Sequence, residues 1–224
     1  MNKSSLLIYL TIIKLIVLFG CTTAAPLTKA PCPRPDLDKQ IADLKQQVEK
    51  QKAQEQNEIN NAKQAYDQLA ASLKNEISKD QISIKQYKGV LTINMVDEIF
   101  FDSGHAEIKK DSYDVMNRVG AILKNLPDKI IQIEGHTDDV PIAENYQYKF
   151  PNNWYLGAAR AVNVAVFFEN KMGIDPKKLA VMSFSKYRPL APNTSKANRA
   201  KNRRIEIVVV DRSLYQMMEM KQGF

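Results

Sequence analysis

The chain has 224 residues, a formal net charge of +7 and a pI near 9.2, enough for one ordinary domain plus extra segments. Moderate aromatic content without an excess of glycine or proline argues for a packed core over part of the length. A basic chain suits an anionic polymer or membrane, but the absence of zinc-ligand spacing and of aromatic–basic interleaving argues against nucleic acid, and two cysteines, both near the N-terminus, make no disulfide framework.

The chain opens on MNKSSLLIYLTIIKLIVLFG, a basic start followed by an apolar stretch that Lys14 interrupts. This is short and charged for a membrane span and suits the h-region of a signal peptide. Leu18-Phe19-Gly20-Cys21 resembles a bacterial lipobox. That implies cleavage before Cys21, lipidation of its thiol and, with Thr22 rather than aspartate next, delivery to the outer membrane. The expected location is the outer membrane, lipid-anchored and facing the periplasm; an uncleaved signal-anchor in the inner membrane is the alternative. Residues 21–35, with four prolines, read as an extended linker. Cys32 within it reads as an incidental thiol.

Residues 36–87 read as a helical stalk or coiled coil, since 36–86 hold no glycine or proline. Leu37, Ile41, Leu44 and Val48 step at heptad spacing, as do Ile59, Ala62, Tyr66, Leu69 and Leu73. Gln51 and Glu55 fall on the seam between them, a stutter that weakens it. Self-pairing through 36–86 and a solitary solvated helix are both open.

A domain is expected over 88–211, with 212–224 as a tail carrying an apolar stripe at Leu214, Met217 and Met218. GVLTINMVDEIFFD reads as a bent strand or two short ones. Ile108, Val115, Val119, Ile122 and Leu126 sit at helical spacing. KIIQIEG is a strand. NNWYLGAARAVNVAVFFENKMG is a helix capped by Asn152 or Asn153 and ended by Gly173. KLAVMSFS and RRIEIVVV complete a β-α-β-α-β-β order, an α+β sandwich with two main helices on one face of a mixed sheet.

The motifs FDSGHAEI, IEGHTDD, NNWYLGAARAVNV, YRPLAPN and RAKNRRIEI, in this order and spacing, resemble the OmpA-like peptidoglycan-binding domain. That domain is shared by outer membrane protein A, peptidoglycan-associated lipoproteins and flagellar stator B proteins. The resemblance covers residues 90–210, and the long PIAENYQYKFPNNW loop is nearest the stator branch. It implies non-covalent binding of the diaminopimelate in the cell-wall stem peptide, tethering the outer membrane or an envelope complex. By motif position Asp138 would meet the ligand's ammonium and Arg160 its carboxylate, a pairing a planar guanidinium makes bidentately. An Asp138–Arg160 salt bridge joining loop to helix is the structural alternative, and both need the 139–152 loop to double back.

Asn153 contacts ligand or caps its helix; Thr137 and Asp102 border the pocket, Asp102 chiefly as a turn-former; of Arg203 and Arg204, Arg203 is the one assigned to the peptidoglycan site. Two departures stand out. Gly157 replaces a usual serine, and Ser183-Phe184-Ser185 replaces a Gly-aromatic-Gly turn in which a serine with positive φ would be strained. A metal-dependent hydrolase would have to recruit His105, His136, Asp102, Asp138 and Asp139, but neither histidine has metal-site spacing and no nucleophile motif is present. His136 is expected to be packed with its nitrogens bonded to backbone, and His105 to be exposed. No enzyme activity, cofactor or metal is expected. A scaffold acting mainly through protein contacts is the remaining alternative.

Overall fold

The structure is a computed structural model that describes residues 35–213, 215 and 216. The expected signal peptide, Cys21, Cys32 of the expected linker, and the Leu214, Met217 and Met218 stripe lie outside the described residues. The chain divides into two compact units, Met1–Gln46 and Gln47–Phe224. In the first, the described residues are helical, with Leu37, Ile41 and Leu44 exposed. Among the described residues no helix is long and apolar enough to cross a membrane.

Helix α1 runs Pro35–Ser72 and α2 runs Lys74–Ser78. A hairpin of β1 (Ile82–Tyr87) and β2 (Val90–Val96) follows, then a single helical turn α3 (Asp97–Phe100). Next come α4 (Tyr113–Lys124), β3 (Lys129–His136) and a short α5 (Glu144–Gln147) in the long loop. Helix α6 (Asn153–Met172), β4 (Leu179–Ser185), α7 (Lys196–Asn202) and β5 (Arg204–Asp211) complete the chain. The sheet order is β1-β2-β5-β3-β4, antiparallel except for the β3–β4 pair that α6 connects. The α+β architecture and mixed sheet are as expected.

The boundary of the domain is not as expected. Residues 82–87, assigned to the stalk, form an edge strand. Ile82 and Ile84 pair opposite Met95 and Ile93, so their period of two matches the pleat. Asp80 ends the helical segment at φ 55, and Lys88 and Gly89 turn the hairpin at φ 47 and 80, the paired positive angles of a tight I′ turn. Neither break needed a proline or an interior glycine, so composition hid it. The expected bent strand at 90–101 stops at Val96 and gives way to α3.

The coiled-coil expectation also fails for the second half of α1. Ala65, Leu69 and Leu73 are buried in one core with Leu91, Ile93, Met116, Val119, Phe168 and Ile207, and Tyr66 packs against it. Arg118 of α4 locks the end of this helix, donating to the Ser72 carbonyl and to Glu76 and Asp114. The Arg118 hydrogen bond holds the Glu76 carboxyl below its usual value. The second half of the heptad stripe, with self-pairing as one of its two open readings in sequence, is therefore spent within the domain.

Helix α6 crosses β3 at very short range. A Cβ on Gly135 would lie 2.0 Å from the Gly157 carbonyl oxygen, and one on Gly157 would meet Ser183 Oγ at 2.6 Å. Gly135 is thus required by the crossing, and beside Gly157 the space is filled by the Ser183 hydroxyl, which donates to the Trp154 carbonyl. Ser185 does take φ 51, the strained conformation its position implied.

Leu69→Ala should lower the unfolding free energy by about 2–5 kcal/mol in denaturant titration, with an unchanged sedimentation coefficient. Unchanged stability with an altered oligomeric state would restore the stalk reading.

Candidate functional site

The carboxyl end of β3, the start of β5, α3 and the first turns of α6 enclose a cavity of about 430 Å³. Asp97, Glu98 and Asp138 line it together with Arg160, Arg199 and Arg203. Three carboxylates and three guanidiniums leave no net formal charge. Thr137, Asn153, Leu156, Ile142 and Tyr146 complete the wall.

Asp138 and Arg160 face one cavity, but they are bonded to other partners. Arg160, 3% exposed, donates through Nη1 to Asp97 Oδ2 at 2.9 Å. Its Nε donates to the His105 carbonyl at 2.8 Å, and its guanidinium lies 5.1 Å from the Phe101 ring centre. Asp138 Oδ2 accepts from Arg203 Nη1 at 2.8 Å, and Oδ1 accepts from the Val140 amide at 3.1 Å. The Asp138–Arg160 salt bridge of the structural alternative is replaced by two crossed pairs, because each arginine has a nearer acid. Asp97 is that acid for Arg160, and it escaped sequence reading because MVDEIFF looked like an interrupted strand. Burial lowers the Arg160 guanidinium from its ordinary value, with Asp97 opposing. Burial would lower Arg203 too, but its bond and charge contact with Asp138 outweigh this and raise it.

Asn153 lines the cavity but is not the helix cap. Asn152 is the N-cap, its side chain accepting from the Trp154 amide. Asn153 Nδ2 donates to the carbonyls of Asp138 and Val140 at 3.2 and 3.0 Å. It folds the 139–152 loop back onto the helix start, which is the doubling back the site needs. Thr137 is buried, its hydroxyl donating to the Asp138 carbonyl. Asp102 is not in the wall. Its carboxylate is exposed and pairs with Lys109 at 3.3 Å, and its carbonyl only approaches Arg160 Nη2, at 3.5 Å. His105 is half-buried against Tyr146 rather than exposed.

His136 is buried as expected, but its partners are acids rather than backbone. Its Nε2 lies 3.4 Å from Glu134 and 3.8 Å from Glu206, its Nδ1 has no partner, and its ring stacks on Phe184. Glu134, His136 and Glu206 place potential ligand atoms within 4.8 Å of one another, a grouping that sequence spacing did not show because it joins two strands. Arg204 already donates to Glu206 at 3.0 and 3.1 Å. The cluster belongs to the sheet face away from the core.

A family model described as the OmpA family matches residues 100–203. Motility protein B of Bacillus subtilis (strain 168) is 33% identical over 161 residues, 72% of this chain and 59% of that protein. The chain spans little more than half the length of the curated relatives it matches. The crystal structure of a MotB-like protein from Desulfovibrio vulgaris superposes with a TM-score of 0.63 at 30% identity, covering 70% of this chain and 95% of that one. The cell wall anchor of the T6SS from Pseudomonas aeruginosa gives 0.58 at 27% identity, covering 64% and 96%.

Burial pushes the Asp97 carboxyl from its ordinary 3.8 up to about 6, against the opposing pull of Arg160 and Arg203. The folded protein then holds this proton more tightly than the unfolded chain between those values. The stability Asp97 contributes is therefore full below about pH 4 and is lost as pH rises through about 6. The Asp97 carboxyl carbon resonance should titrate with a midpoint of about 6. A midpoint near the ordinary value would mean that Arg160, and not burial, governs the group.

Proposed function

Because residues 100–203 form an OmpA-family domain, we propose that this protein binds peptidoglycan non-covalently through the diaminopimelate of the stem peptide and acts as an anchor rather than an enzyme. The observation that carries this reading is the composition of the cavity. Acids and arginines line its wall in equal number, which matches a ligand end bearing an ammonium and a carboxylate side by side. Asp138 and Arg160 each already have a charged partner, so a ligand with both groups exchanges pairs, whereas one with a single group strands a charge.

Arg160 spends its Nε on the His105 carbonyl and one Nη1 hydrogen on Asp97 and keeps N–H groups for a ligand carboxylate. Asp138 takes the ammonium, with Arg203 moving toward Glu98, which it already contacts. The T6SS cell wall anchor among the similar structures supports the same reading. Cys21 supplies the second attachment, a lipid in the outer membrane with the domain in the periplasm.

Purified full-length protein should co-sediment with diaminopimelate-containing cell-wall sacculi at moderate salt. Asp138→Asn and Arg160→Lys should each reduce the bound fraction at least tenfold, about 1.4 kcal/mol, with unchanged circular dichroism. Wild-type protein left in the supernatant defeats the proposal; binding by both variants that vanishes at high salt would assign the interaction to net charge instead.

Metabolic labelling with palmitate should mark wild-type protein and not Cys21→Ala. Equal labelling of the two, or none, removes the lipid anchor.

A further inference from the structure

Beside the charged cavity lies a second cleft, of about 310 Å³, and the two share Pro141, Ile142 and Asn153 as a common wall. The second cleft is different in kind. Its floor includes Trp154 and Tyr187, whose ring centres are 5.6 Å apart with planes inclined by 31°. Trp154 is 45% exposed and Tyr187 is 64% exposed. Two large rings left open side by side form an apolar plate that costs solvation unless something covers it. Around the plate are polar groups of mixed kind: Asp139, Asn152 and Lys186. Asn152 commits its amide oxygen to the Trp154 amide, which leaves its amide nitrogen as a donor. Lys186 lies 6.0 Å from the Tyr187 ring centre.

We infer that this cleft is a sugar subsite, taking an N-acetylated amino sugar of the glycan strand to which the stem peptide is joined. The inference rests on the stem-peptide reading of the charged cavity. A pyranose ring has one face of slightly positive C–H groups and a perimeter of hydroxyls and amides. The face suits the negative face of an aromatic ring, and the perimeter suits neutral and charged hydrogen-bond groups placed around it. The plate has no buried ion pair to exchange, so it does not repeat the chemistry of the cavity next door. Its position follows from covalent connection. A stem held by Asp138 and Arg160 must leave the cavity toward its sugar, and the wall formed by Pro141, Ile142 and Asn153 opens directly onto the aromatic plate.

Trp154 is the only tryptophan in the chain, so its emission reports this cleft alone. Full-length protein is titrated with two probes, a bare stem peptide ending in diaminopimelate and the same stem carrying its disaccharide. The disaccharide form should bind about tenfold more tightly, the yield of one added aromatic stack, and should shift the Trp154 emission to the blue. Tyr187→Ala should remove most of that gain while leaving the affinity for the bare stem unchanged. Equal affinity for the two probes with no emission change overturns the sugar subsite and leaves the stem reading intact. Weaker binding of the bare stem by Tyr187→Ala also overturns it, by giving the ring a supporting role in the first cavity. Failure of the bare stem to bind sinks the stem reading, and the subsite falls with it.

Discussion

The buried ion pair of Arg160 with Asp97 sets the geometry of this end of the sheet. Both side chains are almost fully enclosed, so each is tolerable only because the other is there; removing one partner of such a pair typically costs about 3–5 kcal/mol. The pair ties α6 to α3, and the Arg160 bond to the His105 carbonyl ties α6 to the loop that follows. An arginine fixed on two sides cannot swing away, so its unspent donors point at one place. A site built on a charge that burial has already immobilised loses little side-chain entropy when it binds.

That pair depends in turn on a contact with no charge. Helix α6 carries Arg160 to the cavity only because its first turns lie against β3 at Gly135 and Gly157, where neither residue can carry a Cβ without displacing backbone or the Ser183 hydroxyl. The usual serine at 157 and glycine at 183 are here exchanged in kind. In this chain the hydroxyl at the crossing is supplied from β4, by Ser183. What looked in sequence like two separate losses is one repacking.

Much of this was legible in the residues. The period-3.6 pattern of α6, its capping asparagine and the αL Gly173 were readable, as were β3, β4 and β5 and the placing of Asp138 and Arg160 at one site. Three things were not. Strand β1 sat in a run without glycine or proline, and only its pairing with β2 distinguishes it from helix. The Leu69 and Leu73 stripe has the spacing of a coiled-coil seam, and spacing does not say whether a seam faces a second copy or the chain's own core. Asp97 lies far in sequence from Arg160, and no local pattern announces a long-range ion pair. Adjacent residues also divide between faces, as the pleat requires. Arg203 goes to the cavity while Arg204 joins the Glu134–His136–Glu206 cluster, so the two adjacent arginines serve two separate groups of acids.

The crossed pairing has a consequence for recognition. With Asp138 bonded to Arg203 and Arg160 bonded to Asp97, neither of these two groups presents an unpaired charge to a simple ion. A single cation reaching Asp138 must displace Arg203 and leaves it with only Glu98. A single anion reaching Arg160 must compete with Asp97, whose own charge burial disfavours. A zwitterion does both at once, and the displaced charges are compensated within the same small volume. Net affinity from such an exchange is modest, because bonds are traded rather than added. Selectivity is high, because every partial ligand leaves an unpaired group in a largely enclosed site. On the proposed reading, that combination of weak grip and strict choice suits an anchor that must hold one polymer among many soluble ions.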